Sequence, residues 1–135
     1  MSAAPFIATI GKDFTFQAAH KLTNVPDGHP CGRVHGHGYR VRIELKGPVH
    51  HETGWLCDFA DIGYAWNVIG KKLDHWCLND VPMVGAMTPT AENLAALIFV
   101  MLEKPFDAEP LPHLHAVTVW ETEKCFARVE AQENL

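Results

Sequence analysis

Apolar and charged residues alternate from residue 35 to residue 46, and this period of two limits the fold more than any other feature of the sequence. Arg40, Arg42 and Glu44 fall on one face of the segment. The opposite face carries His35, His37, Tyr39, Val41, Ile43 and Leu45. Side chains two residues apart on a strand point to the same side of a sheet. The pattern therefore predicts a half-buried strand of an antiparallel sheet, with one face toward a core and one toward solvent.

Three further strands are predicted, at residues 6–20, 115–121 and 125–130. The first of them alternates in the same way, and one of its faces carries Phe14, Phe16, Ala18 and His20. The second is rich in β-branched residues, and the third alternates between apolar and polar residues. Residues 21–34, between the first two strands, contain two prolines and two glycines. A loop of this length inside a compact domain is usually functional or disordered.

Two helices are predicted from apolar residues at helical spacing. The first starts after Asp58, a good N-cap residue, and its apolar stripe comprises Phe59, Ile62, Trp66, Ile69, Leu73 and Trp76. The second starts near Thr90 and ends before Pro105, because proline cannot continue a helix. The order strand–strand–helix–helix–strand–strand predicts a single α+β domain over residues 1–135. Two helices would cover one face of a four-stranded antiparallel sheet.

Composition excludes several classes of function. The chain has 135 residues, of which 47% are hydrophobic and 20% charged, as is typical of a single globular domain. A formal net charge of −5 without long runs of lysine or arginine argues against nucleic-acid binding. Neither a membrane-spanning apolar stretch nor a signal-peptide pattern is found. The four cysteines form no CxxC pair and are expected to be reduced, as in a cytoplasmic protein.

Three of the nine histidines fall on the apolar faces of the first two predicted strands. His35 and His37 are two residues apart and project together, and His20 lies at the end of the preceding strand. If these strands are neighbours, three imidazoles converge and leave open the fourth position that a catalytic zinc ion needs. A lone histidine on an apolar face is more often a hydrogen-bonded core residue, and spacing alone leaves that alternative open. His113 and His115 form a second such pair, which we interpret as a solvent-facing strand entry.

Other candidate groups could move protons or bind a ring. Cys31 lies in the long loop near Arg33 and the predicted metal, where a thiol ionises readily and can act as a base or nucleophile. Cys31 could instead be a fourth metal ligand, which would make the site structural. Asp74 and His75 form an acid–imidazole pair at a helix end, a weak signal by itself. Glu121 ends an apolar strand, where its carboxylate could accept paired N–H donors from a purine-like or pterin-like ring.

In their order along the chain, these residues resemble the 6-pyruvoyl-tetrahydropterin synthase superfamily. The matching segments are residues 14–20 (FTFQAAH), 31–37 (CGRVHGH), 54–55 (GW), 58–59 (DF), 73–75 (LDH), 78–79 (LN), 89–93 (PTAEN) and 121–122 (ET). The short interval between Cys31 and His35 is similar to that in the 6-carboxy-tetrahydropterin synthases of the queuosine pathway. The pyruvoyl branch, which makes tetrahydrobiopterin, generally has a longer interval there.

The resemblance implies the tunnelling fold (T-fold), in which subunits close their sheets into a barrel. It also implies a homo-oligomer, a trimer or a dimer of trimers, with active sites between subunits. The substrate would be 7,8-dihydroneopterin triphosphate, and a carbon–carbon lyase reaction would give 6-carboxy-5,6,7,8-tetrahydropterin, acetaldehyde and triphosphate. Two alternatives stay open: a 6-pyruvoyl-tetrahydropterin synthase, which eliminates triphosphate, and a non-catalytic zinc-binding or pterin-binding module.

The resemblance further implies a role for each candidate residue. Cys31 would be the base, and Asp74 with His75 would be the proton relay. Glu121 would anchor the pterin ring. The Zn²⁺ ligands would be His20, His35 and His37. Two residues would lie near the ring pocket, Thr90 and Glu92.

A triphosphate substrate needs positive charge, which the net charge of −5 does not supply. Four basic residues are expected around the proposed site: Lys21, Arg33, Arg40 and Arg42. Arg40 and Arg42 have the parity opposite to that of the histidines, so they need not face the same cavity.

Overall fold

The four predicted strands and two predicted helices form in the predicted order, with a fifth, short strand between the helices, and together they make an α+β structure. The structure, a computed structural model, describes residues 6–107 and 112–132. The strands are β1 (Ile7–His20), β2 (His35–Pro48), β3 (Trp76–Cys77), β4 (His113–Thr122) and β5 (Cys125–Glu130), and the helices are α1 (Phe59–Leu73) and α2 (Ala91–Glu103). Within these residues no helix is long and apolar enough to cross a membrane.

The sheet has five strands in the order β3-β1-β2-β4-β5. The four predicted strands pair antiparallel with one another. β3 is a short addition that runs parallel to β1 beside Ala18 and Ala19. Alternation could not have revealed it, because two residues are too few to show a period. The sheet is therefore mixed, with the predicted antiparallel strands as its body.

The register of β1 and β2 determines where the site lies. These two strands pair along their whole length, from Ile7 opposite Pro48 to His20 opposite His35. The inner face of the sheet is fully buried at the positions that the alternation assigned to the core, Tyr39, Val41, Ile43 and Leu45. The last residue of β1 and the first residue of β2 consequently lie side by side, at the end of this apolar surface.

Both helices begin at the predicted caps. The Asp58 side chain accepts a hydrogen bond from the backbone N–H of Ala60 at 2.9 Å, and α2 ends at Glu103, before Pro105. The buried face of α1 comprises Ile62, Trp66, Ile69, Gly70 and Leu73. Two residues assigned to its apolar stripe do not belong to the core, since Phe59 is 52% exposed and Trp76 is 55% exposed. Trp76 lies beyond the end of the helix, in β3.

Candidate metal centre

Three histidines meet where β1 ends and β2 begins. His20 pairs with His35 across the two strands, and His37 lies opposite Ala18. The Nε2 atoms of His20 and His35 are 3.1 Å apart, and one ring nitrogen from each of the three histidines lies within 4.8 Å of the others. Ligand atoms around a tetrahedral zinc ion are separated by roughly 3.3 Å. The three imidazoles can therefore bind one metal ion.

Hydrogen bonds behind two of the rings fix their tautomers. His20 Nδ1 lies 2.7 Å from the carbonyl oxygen of Pro89, and His35 Nδ1 lies 2.7 Å from that of Arg33. A carbonyl oxygen only accepts, so each Nδ1 carries a proton and donates it. The two Nε2 atoms then face each other with lone pairs, an arrangement that repels unless a cation lies between them. Such outer-shell partners are typical of metal-binding histidines.

His37 completes the set with a ring nitrogen that makes no hydrogen bond among the described residues. This nitrogen, Nε2, is buried. Burial lowers the pKa of His37, Glu121 opposes that shift, and the neighbouring His20 and His35 add to it. A neutral imidazole with a free, buried lone pair is what a metal ligand requires. The donor set therefore fits a metal such as zinc.

Glu121 brings a carboxylate to the same place. It lies near the end of β4, and its Oε1 is 3.5 Å from His20 Nε2 and 3.8 Å from His37 Nε2. The buried Tyr39 hydroxyl lies behind the cluster, 3.2 Å from His20 Nδ1. Burial, and then the charge of Glu121, raise the pKa of Tyr39, so that its hydroxyl stays protonated. Glu121 thus lies beside the histidines and reaches them from β4, the strand next to β2.

Cys31 lies in a single turn of 3₁₀ helix, Pro30–Gly32, inside the long loop. Its backbone N–H donates to His29 Nδ1 at 3.0 Å, and its carbonyl accepts from the backbone N–H of Leu22 at 2.8 Å. Across residues 6–107 and 112–132, the group of converging metal-ligating side chains consists of the three histidines without Cys31. His29 caps the turn that carries the cysteine.

Asp74 and His75 are paired with each other, but not with the histidine cluster. Asp74 Oδ2 lies 2.9 Å from His75 Nδ1, and its Oδ1 accepts from the backbone N–H of Gln17 at 2.8 Å. The Gln17 hydrogen bond, followed by that of His75, lowers the pKa of Asp74. The His75 side chain is 78% exposed, at the outer edge of β1. Within the described part of the chain, no hydrogen bond or ion pair joins this pair to the three histidines.

The PTAEN segment contacts the cluster through its backbone. Thr90 caps α2 by accepting from the Asn93 backbone N–H at 3.1 Å, and the Asn93 side chain donates to the Thr88 carbonyl at 2.8 Å. These bonds fix the buried Pro89, whose carbonyl accepts from His20. Glu92 is exposed in the first turn of the helix. Sequence reasoning missed the Pro89 and Arg33 carbonyls, because backbone acceptors leave no mark on residue type.

Two of the expected positive charges lie elsewhere. Arg40 and Arg42 extend from the opposite face of β2 and both pair with Asp13, at 3.0 Å and 2.7 Å. The Arg40 guanidinium also stacks on Trp120, 3.6 Å from the ring centroid. The expectation that these two arginines surround the histidine site is therefore wrong, for the reason that their parity suggested.

Comparison with known proteins assigns the chain to a family. The sequence pattern of the 6-pyruvoyl tetrahydropterin synthase (PTPS) family matches residues 9–132. The chain belongs to the PTPS family. A 6-carboxy-5,6,7,8-tetrahydropterin synthase of Synechocystis sp. is 37% identical, over 84% of this chain and 85% of the relative. A putative enzyme of the same name from Archaeoglobus fulgidus is 35% identical, over 89% and 93%.

More distant members of the PTPS family include a human enzyme and a solved structure. The human 6-pyruvoyl tetrahydrobiopterin synthase is 30% identical, over 86% of each chain. The structure of Caenorhabditis elegans 6-pyruvoyl tetrahydropterin synthase superposes with a TM-score of 0.85 at 26% identity, covering 98% of this chain and 100% of that one. The resemblance stated from the motifs and the α+β T-fold are thereby confirmed.

Proposed function

We propose that this chain is a 6-carboxy-5,6,7,8-tetrahydropterin synthase, a zinc-dependent carbon–carbon lyase. It would convert 7,8-dihydroneopterin triphosphate and water to 6-carboxy-5,6,7,8-tetrahydropterin, acetaldehyde and triphosphate. The proposal is carried by three imidazoles whose ring nitrogens converge within 4.8 Å of one another, beside the Glu121 carboxylate. The names of the Synechocystis and A. fulgidus relatives support the carboxy product over the pyruvoyl product.

His20, His35 and His37 would hold the zinc ion. When bound, it would act as a Lewis acid that polarises the hydroxyls of the substrate side chain and stabilises the negative charge developing there. The Pro89 and Arg33 carbonyls hold the first two rings in the tautomer that leaves Nε2 free. These ligands need only small shifts to bind the ion, so the site is largely preorganised for the reaction.

Glu121 and Cys31 would act on the two ends of the reacting part of the substrate. The Glu121 carboxylate has two oxygens and can accept paired N–H donors from the pterin ring. Cys31 would accept a proton from the side chain as its thiolate. The loop holds the cysteine by its backbone, through His29 and Leu22, and leaves the thiol outside the ligand set.

Asp74 and His75 would reach the metal centre of a second copy of the chain. Their exposed position at the outer edge of β1 supports this assignment. That edge is paired only beside Ala18 and Ala19, and the outer edge of β5 has no partner strand within the described residues. Joining such edges between copies would close the sheets into a barrel. We accordingly propose a homo-oligomer, a trimer or a dimer of trimers, with active sites between subunits.

We also propose that the product is used in queuosine biosynthesis and that the protein is cytoplasmic. The names of the 6-carboxy relatives support the first assignment. The free cysteines, which include Cys31 and Cys57, fit the second, because a reducing compartment keeps thiols free.

The test is the Cys31→Ala variant, with Cys125→Ala as a matched control that removes an exposed thiol. We expect Cys31→Ala to abolish consumption of dihydroneopterin triphosphate while retaining its zinc, measured by metal analysis on the same sample. Cys125→Ala should keep both. Loss of zinc from Cys31→Ala would identify Cys31 as a metal ligand and contradict the catalytic assignment.

A further inference from the structure

The loop between β1 and β2 lines an open cavity at the end of the sheet where the histidines lie. This cavity, which we call the loop cavity, has a volume of about 400 Å³. Two cationic side chains, Lys21 and Arg33, line it together with the imidazole of His29, and Asp27 is the one acidic residue among its lining residues. Cations therefore outnumber carboxylates in the cavity wall by two to one, in a chain whose net charge is −5.

Backbone contacts hold both cations next to the metal ligands. Lys21 directly follows His20, and its backbone is clamped by Asn79, whose side chain accepts from the Lys21 N–H at 2.9 Å and donates to its carbonyl at 3.0 Å. The Arg33 carbonyl accepts from His35 Nδ1 at 2.7 Å. The backbone positions from which the two cations extend are thus held next to the metal centre.

Both cations are available to a ligand. In residues 6–107 and 112–132, neither Lys21 nor Arg33 has a carboxylate within 4.0 Å, whereas Arg40 and Arg42 share the carboxylate of Asp13 on the other face of the sheet. An anion that reaches the loop cavity would therefore meet two cations that have no competing partner.

Glu121, the three histidines and the loop cavity follow one another along the end of the sheet, and this order would direct one end of a bound substrate toward the cavity. Glu121 lies close to His20 and His37, while His35 lies at the start of β2, where the loop enters the strand. A pterin ring at Glu121 with its side chain across the three imidazoles would direct the end of that side chain past His35, toward the loop. The end of the side chain is the phosphorylated end.

We propose that the loop cavity is the subsite for the triphosphate of the substrate, with Lys21 and Arg33 as its cations. The proposal rests on the proposed function for the identity of the substrate. The ligand chemistry that it requires is a linear polyphosphate anion, which inorganic triphosphate reproduces without any pterin.

The test is calorimetric titration of inorganic triphosphate into the zinc-loaded protein, with the zinc content measured afterwards so that chelation is not counted as binding. We expect Lys21→Ala and Arg33→Ala each to raise the dissociation constant roughly tenfold, because each loses a close interaction with a multiply charged anion. Asp27→Asn should lower it. The control is Lys46→Ala, an exposed lysine near the other end of β2, roughly 36 Å along the strand from His35.

Equal affinities in the wild-type protein and the two cavity variants would overturn the subsite, even if turnover on dihydroneopterin triphosphate is normal. If the cavity variants lose triphosphate binding and the protein turns over no pterin, the subsite holds and the proposed function fails. Lys21→Arg and Arg33→Lys guard against misfolding, since each retains the charge and should keep the dissociation constant below that of the matching alanine variant. Loss of binding in these charge-retaining variants of normal stability would contradict the assignment of an electrostatic role.

Discussion

At the scale of single residues, the backbone carbonyls that hold the histidine rings matter as much as the ring nitrogens that face the metal site. A ring whose Nδ1 donates to a backbone carbonyl is held in one tautomer, and its Nε2 cannot become a donor without losing that bond. The tautomer of His20 therefore depends on the Pro89 carbonyl, and that of His35 depends on the Arg33 carbonyl. Strand parity predicted the three ligands, whereas the acceptors depend on loop conformation, which residue types do not encode.

Substitution of His29 tests whether its side chain holds the turn that carries Cys31. We expect His29→Ala to speed hydrogen exchange of the Cys31 backbone amide about fivefold, because losing a side-chain cap costs about 1 kcal/mol. His29→Asn, which keeps a side-chain acceptor, should exchange at nearly the wild-type rate. Amide exchange followed by NMR on zinc-loaded protein measures both variants. An unchanged Cys31 amide in His29→Ala would show that the cap seen at 3.0 Å does not hold the turn.

Asp13 gives a stability prediction with a definite pH dependence. The hydrogen bond from Arg42 is the largest cause that lowers the pKa of Asp13, and Arg40 adds to it against a partial desolvation cost. The folded pKa lies below the unfolded one, so the contribution is complete above the unfolded pKa of about 3.9 and disappears as pH falls through the folded pKa.

We therefore expect Asp13→Asn to lower the free energy of unfolding at pH 7 by about 0.5–1 kcal/mol, a magnitude limited by solvent screening. Urea unfolding at several pH values measures it, and the two proteins should converge in acid. The control is Asp107→Asn, which removes an exposed carboxylate that has no ion pair among the described residues. A deficit in Asp13→Asn that persists below the folded pKa would mean that packing, and not charge, is lost.

At the scale of elements, periodicity and caps were enough to place the long strands and both helices. Alternation identified β1 and β2, and Asp58 and Thr90 marked where the helices begin. β3 and the exposure of Phe59 and Trp76 were not predictable, because they depend on how α1 docks on the sheet. The same docking explains Gly70, which no local pattern would require.

Gly70 and Gly63 form a matched pair on α1. A Cβ at Gly70 would lie 2.7 Å from the buried Trp66 indole, which is itself stacked on Phe14 at 5.4 Å. A Cβ at Gly63 would meet only the flexible end of Lys12, at 3.2 Å. Alanine gains up to about 1 kcal/mol of helix propensity at either position, but overpacking costs roughly 1–3 kcal/mol.

We expect Gly70→Ala to destabilise the protein by about 1–2 kcal/mol and Gly63→Ala to stabilise it by up to about 1 kcal/mol. Thermal unfolding of the two variants side by side measures the difference. If Gly70→Ala is as stable as Gly63→Ala, the close packing of Trp66 on the helix backbone is not maintained in solution.

At the scale of the whole molecule, one chain brings together the metal ligands and Glu121, but leaves Asp74 and His75 on a free edge. Sequence motifs could indicate that all these residues belong to one reaction. Motifs could not indicate which copy of the chain supplies each residue. The assembly proposal follows from this separation, and it can be tested by complementation between inactive variants.

We expect co-expressed Cys31→Ala and His75→Ala chains, isolated as mixed oligomers with two affinity tags, to regain about one quarter of the wild-type sites under random assembly. Each variant alone should be inactive. Mixed oligomers that show no activity above either parent would place all catalytic residues of a site within one chain. The assay is consumption of dihydroneopterin triphosphate per chain.

The identity of the pterin product tests the central claim most directly. Zinc-loaded protein is incubated with 7,8-dihydroneopterin triphosphate, and the products are identified by mass spectrometry. We predict 6-carboxy-5,6,7,8-tetrahydropterin together with equimolar acetaldehyde. Formation of 6-pyruvoyl-tetrahydropterin without acetaldehyde, or recovery of unchanged substrate from a protein with full zinc content, would contradict it.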